Sequence, residues 1–150
     1  MSIIIKIPSA MPRCLKFGAM SMRTVPPYIY VGAGGFLGAM LRYAMTLMLQ
    51  GLHINIPYGT LVANTAGCLL IGVVVGLSED IPFLSAEARL FLATGVCGGF
   101  TTLSSLIYEL LQMVRVGHYL IASLYFFLTF SGAAIAFMAG VGVVRVFIRG

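Results

Sequence analysis

Apolar residues arrive along this chain in four long runs, and polar residues gather between them. The first run extends from about Tyr28 to Leu49 and the second from about Tyr58 to Leu77. The third covers about Glu87 to Val114 and the fourth about Tyr119 to Val144. Each reaches the ~20 residues that a helix needs to cross a hydrocarbon core. The connections carry turn and cap chemistry. Gly51 and Pro57 bracket the stretch GLHINIP, and Pro57 suits the first turn of the helix that follows. The stretch SEDIPFLSA, with Glu79, Asp80 and Pro82, reads as a loop; Ser85 is placed to cap the third helix, and Glu87 falls in its first turn, where the helix dipole favours an acid. VRVGH makes a tight connection before the fourth run. Small residues recur at four-residue spacing in Gly34/Gly38, Gly35/Ala39, Gly72/Gly76 and Gly132/Ala136/Gly140, a spacing that lets helix backbones approach closely; for most of these glycines ordinary packing is the expected role.

Composition sharpens this picture. Of 150 residues, 60% are hydrophobic and 9% are charged, whereas a soluble domain carries about a quarter charged residues. So few charges cannot cover a water-exposed surface, and lipid is the remaining solvent. The expected architecture is an all-α membrane protein of four transmembrane helices over residues 28–150. The first 27 residues differ: they hold Lys6, Arg13, Lys16 and Arg23, no acid and four prolines. The apolar stretch Ile3 to Ile7 is too short for a signal-peptide core. Residues 1–27 are expected to form a flexible extension, which a translation start at Met20 or Met22 would largely remove.

The formal net charge of +5 does not point to nucleic acid. Outside the tail, Arg42, Arg89, Arg115, Arg145 and Arg149 stand singly near helix ends, as bilayer anchors do, and a nucleic-acid surface needs a clustered patch. Four spans put both termini on one side. Charge favours the cytoplasm for that side, but the bias leans on the tail, and without it insertion in both orientations becomes plausible. Cys14, Cys68 and Cys97 form neither a disulfide framework nor a zinc-ligand spacing, and buried Cys acts as a small hydrophobe.

Polar groups at membrane depth are expensive and therefore informative. Asn64 lies near the middle of the second run with Thr60 one turn earlier, so both share a face. Glu109 lies in the third run with Ser104 and Ser105 one turn upstream, and Tyr125 and Thr129 form another such pair in the fourth. Neutral donors of this kind can replace the water around a small anion without adding a fixed charge. Proton relay needs titrating groups instead. Glu109, a lone acid, is expected to pair with a helix donor rather than act as a base. The third run also carries a break signal, Gly95-Val96-Cys97-Gly98-Gly99-Phe100-Thr101-Thr102-Leu103-Ser104-Ser105, because paired glycines followed by paired threonines are poor helix interior. An opened turn exposes carbonyls that hold cations, while half-helix N-termini favour anions. No catalytic constellation is present: His53 and His118 lie in loops at opposite ends, far from any carboxylate pair.

Three stretches together resemble the CrcB/Fluc family of fluoride channels: Gly34-Gly-Phe-Leu-Gly-Ala-Met-Leu-Arg42-Tyr43, Gly59-Thr60-Leu-Val-Ala-Asn64-Thr-Ala-Gly67-Cys68, and Gly95-Val-Cys97-Gly98-Gly99-Phe-Thr101-Thr102-Leu-Ser104. The resemblance covers about residues 28–147. It implies an antiparallel, dual-topology homodimer in the bacterial inner membrane that lowers cytoplasmic fluoride by passive efflux. It also implies a third helix broken near its middle. By resemblance, pore roles fall on Asn64, Thr60, Ser104, Ser105, Tyr125 and Thr129; support falls on Arg42 and Glu109. A structural Na⁺ at the dimer centre would be held by backbone carbonyls of Gly98 and Thr101. The family's two pore phenylalanines are replaced by Leu103 and Leu106, which have no ring edge to offer an anion. Either the chain conducts through the remaining donors, or it is a weak channel, or it is one half of a heterodimer whose partner supplies the rings. Two competing classes are a small dual-topology multidrug exporter and a membrane subunit without transport. The exporter needs an acid in the first span, where this chain has Arg42 and no acid.

Overall fold

Among the described residues six α-helices follow the four apolar runs, because the third run is divided. In this computed structural model the described residues are 25–52, 56–80 and 85–149. Most of the N-terminal extension, including Met20 and Met22, lies outside them, as do Cys14 and His53. Helix α1 spans Pro27–Leu49, with the proline in its first turn, where its missing N–H costs nothing. A short 3₁₀ turn, Gln50–Leu52, ends it. Helix α2 spans Tyr58–Asp80, immediately after Pro57. It therefore runs past Leu77 and takes in Ser78, Glu79 and Asp80, which the sequence reading placed in a loop. Ser78 stays helical by donating its hydroxyl to the Val74 carbonyl, and it is Pro82, two residues past Asp80, that cannot continue a helix.

The third run begins as expected. The Ser85 hydroxyl accepts from the Ala88 amide at 3.1 Å, capping α3 (Ala86–Arg89), with Glu87 in the first turn. The helix then widens into a π-helical stretch, Leu90–Cys97, and tightens again as α4 (Gly98–Phe100). Thr101 and Thr102 are extended (φ/ψ −83/151 and −150/119), and α5 (Leu103–Arg115) starts after them. The break thus falls on the threonine pair. The glycines before it are helical, and two of them, Gly95 and Gly99, lie against the α1 backbone instead. A Schellman turn closes α5: Gly117, at φ +82°, donates to the Val114 carbonyl and His118 to the Met113 carbonyl. This is the tight VRVGH connection. Helix α6 spans Tyr119–Arg149, longer than the fourth apolar run, because Val146, Phe147 and Ile148 prolong it beyond a single Arg145.

Glycine sets how the helices meet. A Cβ on Gly34 or Gly38 would collide with the backbone of the π stretch, at Phe91, Gly95 and Val96. Gly99 meets Gly35 in the same way. On the other side of the bundle Gly72 lies on the Phe137 backbone and Gly140 on that of Leu69–Val73, so α2 and α6 are in backbone contact. Such contact maximises dispersion where lipid supplies no hydrophobic drive. A smaller cluster of Leu106, Met113, Ala122 and Tyr125 joins α5 to α6.

Around this narrow core the chain displays large apolar side chains outward, among them Met48 (80% exposed), Leu120 (83%) and Phe147 (84%). A water-facing surface of that kind would aggregate. Three helices among the described residues are long and apolar enough to cross a membrane: Tyr58–Ser78, Ala86–Arg115 taken as one span, and Tyr119–Ile148. Helix α1, of 23 residues, is not one of the three; Arg42 and its glycines and tyrosines dilute its apolarity.

The packing makes opposite predictions for two glycines of α1. Gly38→Ala should destabilise the folded protein by about 1–3 kcal/mol, because backbone cannot yield to the added methyl. Gly32→Ala, with nothing within 4 Å of the new carbon, should be neutral or slightly stabilising, since alanine is the better helix former. Melting of both variants in detergent, beside the parent, measures the difference.

Candidate functional site

The break in the third run is held open by one side chain. In an unbroken helix the Thr102 amide would donate to the Gly98 carbonyl. Here it donates to Oδ1 of Asn64 on α2 at 2.7 Å, and Nδ2 of Asn64 returns a bond to the Thr102 carbonyl at 3.2 Å. The asparagine amide thus pairs with the backbone of Thr102 as a neighbouring strand would. Asn64 is 7% exposed. The Thr102 hydroxyl caps the new helix by accepting from the Ser105 amide at 3.2 Å, and it also bonds the hydroxyls of Ser104 (3.0 Å) and Ser105 (3.3 Å). Thr101 turns inward: its amide and hydroxyl both donate to the Cys97 carbonyl at 3.0 Å. From α1, Arg42 Nε reaches the Gly99 carbonyl at 3.4 Å, bracing the end of α4.

One turn along α2 a second polar group forms. Glu109 of α5 accepts from the Thr60 hydroxyl at 2.6 Å and from the Tyr125 hydroxyl at 2.7 Å. Thr129 of α6 is held to its own helix, donating to the Tyr125 carbonyl at 2.8 Å. Thr60, Tyr125 and Thr129 are all buried. Helices α2 and α5 therefore run past each other with Thr60 opposite Glu109 and Asn64 opposite Thr102. The rungs are about one turn apart on α2, from Thr60 to Asn64, and about two turns apart on the third run, from Thr102 to Glu109. Glu109 pairs with helix donors, as its isolation in the sequence suggested.

A cleft of about 200 Å³ opens beside the upper rung. Asn64, Thr101, Thr102 and Thr129 give it polar groups; Leu103, Leu106 and Ala133 give it apolar walls, and Cys68 and Phe130 complete it. Of the residues singled out in the sequence, Asn64, Thr101, Leu103, Leu106 and Thr129 line this cleft. Thr60, Glu109 and Tyr125 form the rung below it. Ser104 and Ser105 attach through Thr102, Arg42 stands behind the break, and Gly98 lies exposed at it. The two leucines are not equivalent, for Leu106 is 2% exposed and Leu103 62%. Sequence reasoning missed two residues. Thr102 was noted only as part of a break signal, although it holds the most bonds at the site. Phe130, half exposed and packed on Phe126 at 4.6 Å between ring centroids, carried no signal in a run of apolar residues.

Helix α5 begins inside the apolar span, so the positive end of its dipole lies at the cleft with uncharged hydroxyls around it. These features define a class: a multi-pass helical membrane protein whose interrupted span gathers neutral hydrogen-bond donors within the apolar layer.

Comparison with known proteins narrows the class. The family model described as CrcB-like protein, Camphor Resistance (CrcB), matches residues 29–141. A fluoride-specific ion channel FluC of Chlorobium phaeobacteroides (strain BS1) is 47% identical over 97 residues, 65% of this chain and 76% of that protein. One of Prosthecochloris aestuarii is 41% identical over 118 residues, 79% of this chain and 92% of its own length. One of Thermus thermophilus is 47% identical over 113 residues, covering 74% and 90%. The chain belongs to the CrcB family.

The hydrogen bonds at the break rank two substitutions. Asn64→Ala leaves the Thr102 amide without its acceptor and should cost about 1–3 kcal/mol. Thr129→Val removes only a bond within α6 and should cost no more than the ~0.6 kcal/mol typical of side-chain bonds in a membrane bundle. Reversible unfolding in mixed micelles compares them; equal costs would mean that Asn64 does not hold the break.

Proposed function

We propose that this protein is a fluoride-selective ion channel, not an enzyme, that lowers cytoplasmic fluoride by passive efflux driven by the membrane potential. In this reading all four apolar runs cross the bacterial inner membrane and two copies assemble antiparallel, with dual topology. The single observation that carries it is the Asn64–Thr102 pairing, which opens a cleft of uncharged donors inside an apolar span. The relatives named as fluoride-specific channels, matched over most of the chain, support the choice of ion.

The physics is that of desolvation. A small anion in hydrocarbon must exchange its water for fixed donors, and amide, hydroxyl and helix-end N–H groups provide them without binding it as a permanent cation would. Asn64, Ser104 and Ser105 take that part directly; Thr60, Tyr125 and Thr129 join them only by turning their hydroxyl hydrogens away from Glu109 and the Tyr125 carbonyl toward the ion, and Arg42 braces the break. Fluoride enters a cell as uncharged HF and dissociates inside. A negative interior then drives the anion out, at about 2.3 kcal/mol per charge per 100 mV, so no fuel is needed. The cleft is open on one side, which supports closure by a second copy.

A structural Na⁺ between the copies fits the residues at the break. With the Thr102 amide committed to Asn64, the Gly98 carbonyl is left without its helical partner. Gly98 is exposed, with nothing within 4 Å of where a side chain would begin. Together with the Thr101 carbonyl it offers oxygen ligands of the kind hard cations take. Two oxygens from one copy are too few, and a second copy would bring the same pair. Such an ion would supply a fixed positive charge offsetting the desolvation of a passing anion.

Three substitutions test the channel. Asn64→Asp turns a donor into a repelling charge and should cut fluoride efflux from proteoliposomes at least tenfold, as read with a fluoride electrode; efflux at the parent rate would sink the assignment. Leu103→Phe, at the exposed wall, should preserve or raise flux, because a ring edge is more attractive to an anion than a methyl. Leu106→Phe, in a closed pocket, should in addition cost about 1–3 kcal/mol of stability from overpacking. Loss of all flux in a folded Leu103→Phe protein would show the leucines to be part of a different pore design.

A further inference from the structure

The cleft is short of free donors. The Asn64 amide and the backbone of Thr102 are bonded to each other, which leaves Nδ2 of Asn64 one N–H to offer. Thr101 has turned its amide and its hydroxyl onto the Cys97 carbonyl, and the Thr129 hydroxyl donates to the Tyr125 carbonyl. The Thr102 hydroxyl is engaged with Ser104 and Ser105. An anion seated there meets little positive charge on the polar side that is not already taken. The apolar walls are Leu103, Leu106 and Ala133, whose methyl groups carry no directed charge, and Phe130. Phe130 is the one aromatic ring among the residues lining the cleft. Such a ring is negative on its faces and positive around its edge. It attracts an anion without a donor hydrogen and without net charge.

The setting of Phe130 favours its edge. The side chain is 50% exposed and stands on α6 with Phe126 one turn before it and Ala133 nearly one turn after. The rings of Phe126 and Phe130 lie with centroids 4.6 Å apart and planes tilted by 38°. In that stacked arrangement Phe126 lies over a face of Phe130, not over its rim. Phe126 is itself met by Phe127 at 5.5 Å and 83°, edge to face. A phenylalanine side chain has two torsions, so one stacked neighbour does much to fix its plane. Ala133, with a single methyl group, takes up little of the cleft beside the ring. The two leucines offer nothing equivalent, for Leu106 is closed off at 2% exposure and neither has a ring.

Within the channel reading above, on which this rests, we infer that Phe130 meets a passing fluoride with the edge of its ring and supplies the electropositive contact of the cleft's apolar wall. Such a contact suits passage. It helps an anion to shed water, yet it carries no net charge and does not hold the ion as a fixed cation would. It also accounts for a cleft that serves an anion although Leu103 and Leu106 wall it, because the ring is carried by α6 and not by α5. Phe126 does not line the cleft; its part is to set the plane of Phe130.

Fluoride efflux from proteoliposomes of the full-length chain, read with an electrode, tests this assignment. The parent is measured first, and a parent that does not conduct overturns the channel reading and the role of Phe130 together. In a conducting parent, Phe130→Leu, which keeps an apolar side chain but removes the ring, should lower efflux at least tenfold. Phe147→Leu, at an outward ring near the far end of α6 that is 84% exposed, should conduct as the parent does. A graded series at position 130 separates charge from shape. Phenylalanine analogues with rising numbers of ring fluorines keep the ring while weakening and then reversing the positive edge. Efflux should fall step by step along the series and be at least tenfold lower with pentafluorophenylalanine. Melting in detergent shows that each variant is folded, and if Phe130→Leu does not fold, the fluorinated series decides. Parental efflux in a folded Phe130→Leu protein would overturn the assignment while leaving the channel reading in place. Equal efflux along the whole fluorinated series would overturn it as well, because the ring would then act by shape alone.

Discussion

The bonds between the Asn64 amide and the backbone of Thr102 are the constraint on which the rest of the site depends. A helix that stops inside an apolar layer leaves donors and acceptors unpaired, and hydrocarbon satisfies none of them. Asn64 takes up the Thr102 amide and carbonyl together, the Thr102 hydroxyl takes up the first amide of α5 that it can reach, and Thr101 turns both of its donors back onto Cys97. With those bonds in place the chain can change direction at membrane depth. Without them the Thr102 amide and carbonyl would stand unpaired beside the break.

Backbone contact supplies the rigidity that this arrangement needs. Gly34 and Gly38 bring α1 onto the π stretch, and Gly99 rests on Gly35. Arg42 then reaches the Gly99 carbonyl from the same helix. On the far side, Gly72 and Gly140 press α2 against α6, so Asn64, Thr60, Tyr125 and Thr129 ride on one tightly joined pair of helices. The donors are held by elements that cannot slide past each other. Fixed donors are the condition for selecting an ion by its size, because a flexible set would close on larger ones as well.

Polar groups in this protein are sorted by charge. Those at the cleft are neutral, and the one acid of the membrane interior, Glu109, is occupied by two hydroxyls and sits a turn away. A polar column that avoids free charge suits an anion that must both enter and leave.

Much of this was legible in the sequence, since hydrophobic run length, capping residues and the cost of polar groups in lipid are local properties. The four runs, the cap at Ser85, the turn at Gly117 and the weight placed on Asn64, Thr60 and Glu109 follow from them. Two boundaries did not: α2 extends through Glu79 and Asp80 because a helix does not end where its apolar run ends, and the residue that cannot continue it, Pro82, comes only later, and α6 outlasts its apolar run because one arginine does not unwind a helix. The site itself was decided by tertiary structure. Glycines and threonines at 95–102 both read as helix breakers, and only the arrival of Asn64 from another helix selects Thr102 as the place of the break. Neither the role of Thr102 nor the presence of Phe130 at the cleft has a signature in the chain, because each depends on which helix lies opposite, and the helix opposite is set by where glycine lets two backbones touch.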